Sequence, residues 1–492
     1  MRDYLLAFVN GKPHRISGEH AFWTLSKFLR QHQNLVGTKV MCAEGDCGAC
    51  SVLVGRLRGP DDTLAYHAVD SCIVFMHQLD GAHIVTVEGL GTPDELSDVQ
   101  RAMVECHGSQ CGYCTPGFVV AMHGLVEEDQ ESIPASCQAT GRKLSDASLR
   151  LGLSGNLCRC TGYVQILDAG KSINCENVPR LNDRFPPAEM IRTFEAVSSE
   201  PAMIRTNERS VCVPSTLEQA LQHKQRLSDC RVVSGATDLG VQHNHGTTNL
   251  DHRLCLSKVR ELRTVESGPA AIRVGSCVTW TELLKTVREP FPQFAEILER
   301  FGSPQIRNIG SIGGNLANAS PIADSIPFLF AIQASLRLVS LTETRTIEIS
   351  DFYLDYKKID LRPDELIHSI EIPLPHANDR MTLLKVSRRR DMDISTMTAA
   401  IRLRMDGELI RQAWIALGGV GPVVRRVPDA ERVLAGKPLD LDVMKEAGEL
   451  AVNSIAPISD VRGSKTYRQQ LSQNVFAKCF YELTNQDHRV SA

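Results

Sequence analysis

The chain lacks a strong excess of charge of either sign. Its 54 Lys and Arg residues are balanced by 58 Asp and Glu residues, which leaves a net charge of only −4. Nucleic-acid-binding proteins carry a basic face or stripe, and nothing in this balance resembles one. We therefore expect no nucleic-acid partner.

Long apolar runs are also missing. No stretch approaches the roughly 18 uninterrupted apolar residues that span a bilayer. The first residues lack the apolar core and cleavage site of a signal peptide. They indicate instead a strand that enters a hairpin turn at Asn10 and Gly11. We expect a cytoplasmic protein with no membrane contact.

The common nucleotide-binding signatures are absent too. Neither G-x-G-x-x-G nor G-x-x-x-x-G-K-[ST] fits the two glycine-bearing segments, VVSGATDLG at 232–240 and IRNIGSIGGNLANASPIAD at 306–324. Small residues there let backbone N–H groups approach phosphate oxygens, and Ser, Thr and Asn add neutral donors. On the residues alone, plain turns and phosphate-binding loops both stay open.

Cysteine, by contrast, is abundant and unevenly placed. The composition is that of an ordinary globular protein, and 492 residues suggest about three folded units. Eleven of the sixteen cysteines precede residue 176, and seven lie between Cys106 and Cys175. Because the cytosol keeps thiols reduced, this crowding indicates metal binding and not disulfides.

The first cysteine set has the spacing C-x4-C-x2-C with a distant fourth member, which is the plant-type [2Fe–2S] pattern. Gly45 and Gly48 permit the backbone angles needed to wrap a bulky anionic cluster. A structural zinc site, the alternative, prefers two C-x2–4-C pairs, so the five-residue step fits zinc poorly. The expected ligands are Cys42, Cys47, Cys50 and Cys72.

The second set combines C-x2-C with a distant C-x-C, formed by Cys111, Cys114, Cys158 and Cys160. Helical patterns from Pro116 and from Thr161 predict that both pairs lie at helix N-termini, where the dipole favours thiolates. Alone, the set suits zinc or iron equally. Directly after a ferredoxin-type domain, a second [2Fe–2S] cluster is favoured, because one-electron carriers must lie close together. Three further cysteines stay unassigned, and we treat them as small hydrophobes: Cys106, Cys137 and Cys175.

The stretches CAEGDCGAC, GSQCGYCTPGF and GNLCRCTGY, in this order, resemble the two iron–sulfur domains of molybdenum hydroxylases of the xanthine dehydrogenase group. The resemblance extends over nearly the whole chain, and all eight expected cluster cysteines are present. It implies that Gln110 contacts a molybdopterin held by a partner. A hydrogen bond of Gln110 within its own loop is the alternative.

The resemblance also makes SGATDLG and SIGGNLANASPIAD the two loops that cradle the pyrophosphate of FAD. It implies contacts with FAD from Val232, Val233, Ser234, Gly235, Ala236, Thr237, Asp238, Leu239, Gly314, Asn315, Asn318, Ser320 and Asp324. Phe301 occupies the position of an aromatic residue near the cofactor, and Lys385 that of a lysine near the flavin. The loop at 388–393 lies where NAD+ would approach, although a solvated charge run is the alternative.

The fold implied is a multidomain α+β protein. Residues 1–92 are expected to form a β-grasp ferredoxin-like [2Fe–2S] domain, and 93–175 a helical-bundle [2Fe–2S] domain. A linker at 176–200 would follow an extended path over the surface. A two-subdomain α+β FAD-binding domain of the molybdopterin dehydrogenase type at 201–378 and a C-terminal α+β domain like that of CO dehydrogenase flavoproteins at 379–492 would complete the chain.

The implied function is electron transfer. Electrons would pass from a partner's molybdopterin through two [2Fe–2S] clusters to FAD and on to NAD+, with purine oxidation to urate as the leading reaction. We expect a separate large molybdopterin subunit, a heterotetramer of two small and two large chains, and no hydroxylation catalyst in this chain. An aldehyde or N-heterocycle substrate is the alternative. A non-catalytic redox sensor with zinc is the distant one.

Visible absorption and low-temperature EPR of the purified chain separate these interpretations. We expect a flavin band and two distinguishable [2Fe–2S] signals. The zinc-sensor interpretation predicts a colourless second site and no flavin. A spectrum with neither a flavin band nor a second iron–sulfur signal would contradict an electron-transfer function.

Overall fold

The computed structural model describes residues 1–57, 63–131 and 141–489. The chain divides into two compact units: Met1–Glu261 with Gly302–Gly310, and Leu262–Phe301 with Ser311–Ala492. Within the described ranges, every helix is too short or too polar to cross a lipid bilayer.

A five-stranded mixed sheet opens the first unit. Its strands are β1 (Leu5–Val9), β2 (Lys12–Ile16), β3 (Ser51–Leu57), β4 (Leu64–Asp70) and β5 (Ala82–Val85), in the spatial order β2-β1-β5-β3-β4. Strands β1 and β5 are parallel, and the other pairs are antiparallel. Asn10 and Gly11 both have positive φ, as a type I′ turn requires, so the predicted hairpin is confirmed. Short helices α1 (Leu25–Lys27) and α2 (Val87–Leu90) complete the expected β-grasp fold.

Helices form the next part of the first unit: α3 (Asp98–Glu105), α4 (Thr115–Glu131), α5 (Asp146–Gly152) and α6 (Val164–Ser172). Ser97 and Gln100 form a reciprocal capping box that begins α3. Phe118 and Val120 of α4 are buried in one core with Leu53 of β3 and Tyr66 of β4. The expected helical domain is therefore present and packs on the β-grasp sheet. Cys137 lies outside the described residues.

The segment 176–200 is not the extended surface linker that we expected. It contains helices α7 (Leu181–Arg184) and α8 (Ala188–Ala196). Met190, Ile191 and Phe194 of α8 are buried, and the ring of Phe194 meets that of Phe8 in β1 edge-to-face, with centroids 5.4 Å apart. The prolines suggested an open path, but Pro187 caps α8, where proline is tolerated, and the apolar residues recur at helical spacing.

A four-stranded sheet completes the first unit. Its strands are β6 (Ala202–Arg205), β7 (Ser210–Val213), β8 (Arg231–Val233) and β9 (His252–Cys255), in the order β6-β7-β9-β8. Helix α9 (Leu217–Arg226) precedes β8, and helix α10 (Thr237–Asn244) follows it after a short turn. The strand and small-residue turn predicted at 232–240 are therefore present.

The second unit begins with an antiparallel sheet in the order β10-β11-β16-β12-β13. Its strands are β10 (Val265–Ser267), β11 (Ala271–Gly275), β12 (Ser335–Val339), β13 (Thr344–Glu348) and β16 (Leu366–Pro373), and a small ribbon pairs β14 (Tyr353–Asp355) with β15 (Lys358–Ile359). The accompanying helices are α11 (Trp280–Val287), α12 (Pro292–Glu299), α14 (Ile312–Asn318), α15 (Ser325–Ile332) and α16 (Ile349–Phe352). Helix α13 (Pro304–Arg307) belongs to the first unit.

An antiparallel sheet and three helices form the remainder of the second unit. The strands are β17 (Asp379–Val386), β18 (Met397–Asp406), β19 (Leu409–Gly418) and β20 (Arg425–Arg426), in sequence order. The helices are α17 (Pro428–Leu434), α18 (Leu441–Asn453) and α19 (Lys465–Arg489). Phe476 and Leu483 of α19 share a core with Ile401 and Ile415 of the sheet.

Replacing Phe194 by Ala tests whether α8 belongs to the core. Because a buried Phe loses its contacts and leaves a cavity, we expect the free energy of unfolding of the first unit to fall by about 3–5 kcal/mol. A urea titration followed by circular dichroism measures this change. The control is Glu195→Ala, an exposed position of the same helix, which should have little effect. Equal stability of the two variants would contradict the core position of α8.

Candidate functional site

The first cysteine set lies in the loop that precedes β3 and in the turn that follows β4. The set comprises Cys42, Cys47, Cys50 and Cys72, of which the last two are buried. Ala43, Gly45 and Gly48 have positive φ values of 57°, 71° and 66°, and these angles turn the loop sharply. A Cβ at Gly48 would lie 2.4 Å from the carbonyl oxygen of Gly155, so only glycine fits this approach.

The sulfur atoms of the first set affect one another's ionisation. Hydrogen bonds from the thiols of Cys47 and Cys72 hold the pKa of Cys42 well below its usual range. The same contacts raise the pKa of Cys47 and of Cys72. Four cysteines carried by one loop and the turn after β4 are the ligand number and type that a [2Fe–2S] cluster takes, so the set fits such a cluster.

Burial also affects an acidic neighbour of this set. The carboxyl group of Asp70 is buried, with Oδ1 3.7 Å from the sulfur of Cys50, and burial raises the pKa of Asp70 to about 7.

In the described part of the chain, no three His, Cys, Asp or Glu side chains are grouped as ligands of a single ion. A [2Fe–2S] cluster has two irons and distributes its thiolates between them.

The second cysteine set is also brought together. Each contact joins one member of each motif, since Cys111 is hydrogen-bonded to Cys160 and Cys114 to Cys158. Burial raises the pKa of Cys114 to about 12, and the hydrogen bond with Cys158 adds to this effect. Burial opposes ionisation of Cys158, but the hydroxyl of Thr161, which donates to its sulfur at 3.2 Å, helps to lower its pKa. The donor set again consists of four thiols.

Only one of the two cysteine pairs lies at a helix N-terminus. The carbonyl of Cys114 accepts from the N–H of Phe118 at 3.2 Å, so Cys114 directly precedes α4 as expected. Helix α6 begins at Val164 and not at Thr161, which corrects the prediction for Cys158 and Cys160. Gly162 and Tyr163 have φ values of 67° and 70°. Such left-handed residues cannot continue a right-handed helix, so those two cysteines lie in a loop.

The two cysteine loops are joined directly by hydrogen bonds. The N–H of Leu157 donates to the carbonyl of Cys47 at 3.0 Å, and the amide of Asn156 donates to the carbonyl of Gly48 at the same distance. The hydroxyl of Tyr113 donates to the carbonyl of Val40 at 2.8 Å. Asn156 and Tyr113 were not identified from the sequence, although both lie within the cysteine motifs.

Gln110 lies beside the second set with an exposed side chain. This exposed position suits either interpretation of Gln110, and its role stays a prediction. The side chain is available to a molecule outside this chain.

The residues expected to contact FAD are divided between the two units. Residues 232–239 lie in the first unit, at the turn between β8 and α10. A Cβ at Gly235 would lie 2.3 Å from the carbonyl oxygen of Ile309, and the side chain of Gln78 donates to the carbonyl of Ser234 at 2.8 Å. The first turn of α10 presents backbone N–H groups, as a phosphate-binding helix does. This geometry fits one half of a pyrophosphate cradle.

The remaining expected FAD residues lie in the second unit, around α14 and the start of α15. Gly313 packs against Ser276, where a Cβ would lie 2.6 Å from its carbonyl oxygen. The structure pairs several of the expected residues: Asn315 accepts from Ser325 at 2.7 Å, Asn318 from Lys357 at 2.8 Å, and Ser320 accepts from the backbone of Ala323 at 3.2 Å. Gly314 donates its N–H to Ser311, which caps α14. Lys357 is a neighbour that the sequence did not indicate.

An ion pair connects the two halves of the second unit. The ammonium group of Lys385 lies 2.6 Å from Asp324, both side chains are nearly inaccessible, and Ser395 donates to the other carboxylate oxygen at 2.5 Å. The structure thus brings together two residues that are 61 positions apart. The ring of Phe301 lies 4.8 Å from that of Trp280. The arginines at 388–390 are exposed, which suits either interpretation of that loop.

Four protein-family models match consecutive parts of the chain. They are the 2Fe-2S iron-sulfur cluster binding domain over residues 7–76, the [2Fe-2S] binding domain over 86–171, the FAD binding domain in molybdopterin dehydrogenase over 205–375, and the CO dehydrogenase flavoprotein C-terminal domain over 382–483. The expected fold class is confirmed, and so are the two types of cofactor, [2Fe–2S] clusters and FAD.

Known proteins similar to the chain include Xanthine dehydrogenase 1 of Arabidopsis thaliana, which is 28% identical over 96% of this chain and 39% of its own length. The chain thus spans well under half of that relative. Among solved structures, CO dehydrogenase from Oligotropha carboxidovorans is 26% identical with a TM-score of 0.52, over 54% of this chain and 94% of that one. Quinoline 2-oxidoreductase from Pseudomonas putida 86 is 25% identical with a TM-score of 0.52, over 56% and 96%.

A methyl group at Gly117 tests the contact between the two cysteine loops. A Cβ there would lie 2.2 Å from the carbonyl oxygen of Gly48 and 3.0 Å from the Cα of Ala49, which are backbone atoms that cannot rotate away. We expect Gly117→Ala to lower the iron content per chain and to remove at least one [2Fe–2S] EPR signal.

The matched control is Gly124→Ala on the same helix, where the new Cβ would first meet the flexible end of Leu53 at 3.0 Å. Both changes add the same helix propensity, about 1 kcal/mol. Full iron content in both variants would show that the loop contact is not needed for cluster binding.

Proposed function

Because the chain belongs to the molybdenum hydroxylase family as its iron–sulfur and FAD portion, we propose that it is an electron-transfer component of an oxidoreductase. In this proposal it accepts electrons from molybdopterin on a partner and delivers them to NAD+. The observation that carries the proposal is the direct hydrogen bonding between the two cysteine loops, within one unit that also contains residues 232–239.

We propose that the eight cysteines bind the two clusters and that the FAD residues named in the sequence analysis, Phe301 and Lys385 among them, contact FAD. When bound, two one-electron [2Fe–2S] centres beside a two-electron flavin allow single-electron transfer to be converted to hydride transfer. The chain supplies two sets of four cysteines and glycine positions with no room for a side chain. Domain limits at 92, 175, 200 and 378 are part of the proposal, with helices α7 and α8 between 175 and 200 in place of an extended linker.

A short route of covalent bonds and one hydrogen bond connects the two cysteine sets. The hydrogen bond runs from the N–H of Leu157, the residue before Cys158, to the carbonyl of Cys47. We propose that this bond carries the electronic coupling between the clusters. Asn156 joins the same two stretches of backbone, because its side-chain amide donates to the carbonyl of Gly48. Its side-chain oxygen also accepts from Gln305 at 2.9 Å.

We propose the partner and the substrate from the relatives. Similarity to a xanthine dehydrogenase along 96% of this chain supports purine oxidation to urate. The fold shared with a CO dehydrogenase and a quinoline oxidoreductase supports another small molecule, such as an N-heterocycle or an aldehyde, as the alternative. Either pocket would lie on the molybdopterin-binding partner, near Gln110. No residue of this chain is proposed as the hydroxylation catalyst.

We propose a separate large subunit and a heterotetramer of two small and two large chains. The matched part of CO dehydrogenase fills 94% of one of its chains, so in that protein the corresponding part stands on a chain of its own. A reducing compartment, the cytoplasm, suits a chain whose proposed ligands are eight reduced cysteines.

An anaerobic NADH titration of the purified chain tests the proposal. We expect NADH to bleach the flavin band and then to reduce two distinguishable [2Fe–2S] centres, followed by absorption and low-temperature EPR. Reduction by dithionite but not by NADH, with the molybdenum partner added as a control, would reject NAD+ as the acceptor. Absence of flavin together with a single iron–sulfur signal would reject the electron-transfer function itself.

A further inference from the structure

The C-terminal end of α10 is attached to the first cysteine set. The side-chain amide of Asn244, the last residue of α10, donates one hydrogen bond to the carbonyl of Ala43 at 2.7 Å and another to the carbonyl of Cys72 at 2.9 Å. The next residue, His245, lies 2.7 Å from the carboxylate of Glu44. Two consecutive residues at the end of α10 therefore hold both segments that carry the proposed ligands.

One of these bonds fixes the orientation of a single peptide group. The peptide between Ala43 and Glu44 points its carbonyl at Asn244, and its N–H donates to the sulfur of Cys42 at 3.4 Å. Because the C=O and N–H of a trans peptide point in opposite directions, holding the oxygen aims the N–H at the sulfur. Asn244 thus acts on the sulfur of Cys42 without touching it.

The conformation of Ala43 needs this support. Its φ of 57° lies in the left-handed region. That region is unfavourable for a residue with a Cβ, and such a residue persists only where its surroundings hold it in place. The bond from Asn244 supplies that hold, and the close contact of α10 with the turn after β4 keeps Asn244 in position. A Cβ at Gly240 of α10 would lie 2.4 Å from the carbonyl of Ile73.

We infer that Asn244 is a positioning residue that raises the reduction potential of the first cluster. Reduction adds negative charge to the cluster, and hydrogen bonds to its sulfurs stabilise the reduced form. By orienting the N–H of Glu44 toward Cys42, Asn244 favours reduction. The inference rests on the proposed function, since it requires a cluster on Cys42 and its three companions.

The position of α10 gives this effect a functional meaning. The helix begins within residues 232–239, the proposed FAD loop, and ends at Asn244 beside the first cysteine set. One helix therefore joins the proposed flavin loop to the loop of the first cluster. Asn244 therefore acts on the first cluster, and α10 connects the loop of that cluster to the proposed flavin loop.

The test is an EPR-monitored redox titration of the full chain carrying Asn244→Leu, which keeps the branched shape and the number of heavy atoms but removes both donors. We expect the equilibrium constant for reduction of the first cluster to fall about tenfold, which is ~59 mV for one electron. The second cluster should be unchanged. A Cys111→Ser variant assigns the signals, because it alters a proposed ligand of the second cluster only.

The matched control is Asn182→Leu, which also removes an amide with two backbone hydrogen bonds, to Leu64 at the far end of β4 from Cys72. Its potentials should equal those of the unaltered chain. Adding Ala43→Gly to Asn244→Leu should restore part of the lost potential, because glycine adopts a positive φ without the bond from Asn244. A purely structural role of Asn244 predicts no such recovery.

Each outcome supports or overturns the inference. Unchanged potentials in an Asn244→Leu protein with full iron content would overturn it. So would loss of the first cluster from both the single and the double variant while Asn182→Leu retains it, because Asn244 would then be needed only for cluster binding. If the unaltered chain binds no cluster on the first set, the proposed function fails instead, and iron analysis detects that separately.

Discussion

The close approach of backbone to backbone between the two cysteine loops is the constraint on which the iron–sulfur half depends. Gly48 contacts Gly155 on one side and Gly117 on the other, at distances that exclude any side chain. This approach lets the N–H of Leu157 reach the carbonyl of Cys47. Without it, the two proposed clusters would be held by separate domains with no fixed relation, and neither the loop geometry nor the coupling between them would be defined.

The sequence predicted what depends on local spacing and failed where distant residues decide. The cysteine spacings, the hairpin at Asn10 and the start of α4 after Cys114 all follow from short patterns, and the structure has the hairpin and the helix where they were expected. The predicted start of α6 was wrong because Tyr163 adopts a left-handed conformation that its residue type does not favour. The prediction of an extended linker at 176–200 was wrong because it gave more weight to the prolines than to the helical spacing of Met190, Ile191 and Phe194.

The candidate site shows the same division. The proposed cluster ligands were identifiable from the spacing of their thiols. The glycine segments alone left plain turns and phosphate-binding loops open, and only the family resemblance favoured the loops. Asn156, Tyr113 and Asn244 were not identifiable, since each acts through hydrogen bonds to backbone atoms far away in sequence. The sequence also could not show that Asp324 and Lys385 form a buried pair, because the two residues are 61 positions apart and only the folded chain brings them together.

The packing of α8 on β1 has a consequence for how the chain is made. Phe8 in the first strand meets Phe194, so the N-terminal domain lacks part of its core until almost two hundred residues have left the ribosome. Contacts of such long sequence separation form late and slow folding. Both cysteine sets are synthesised before that point, so iron can reach thiols in a domain that is still open. Helix α8 then completes a core that is synthesised after all eight proposed cluster ligands.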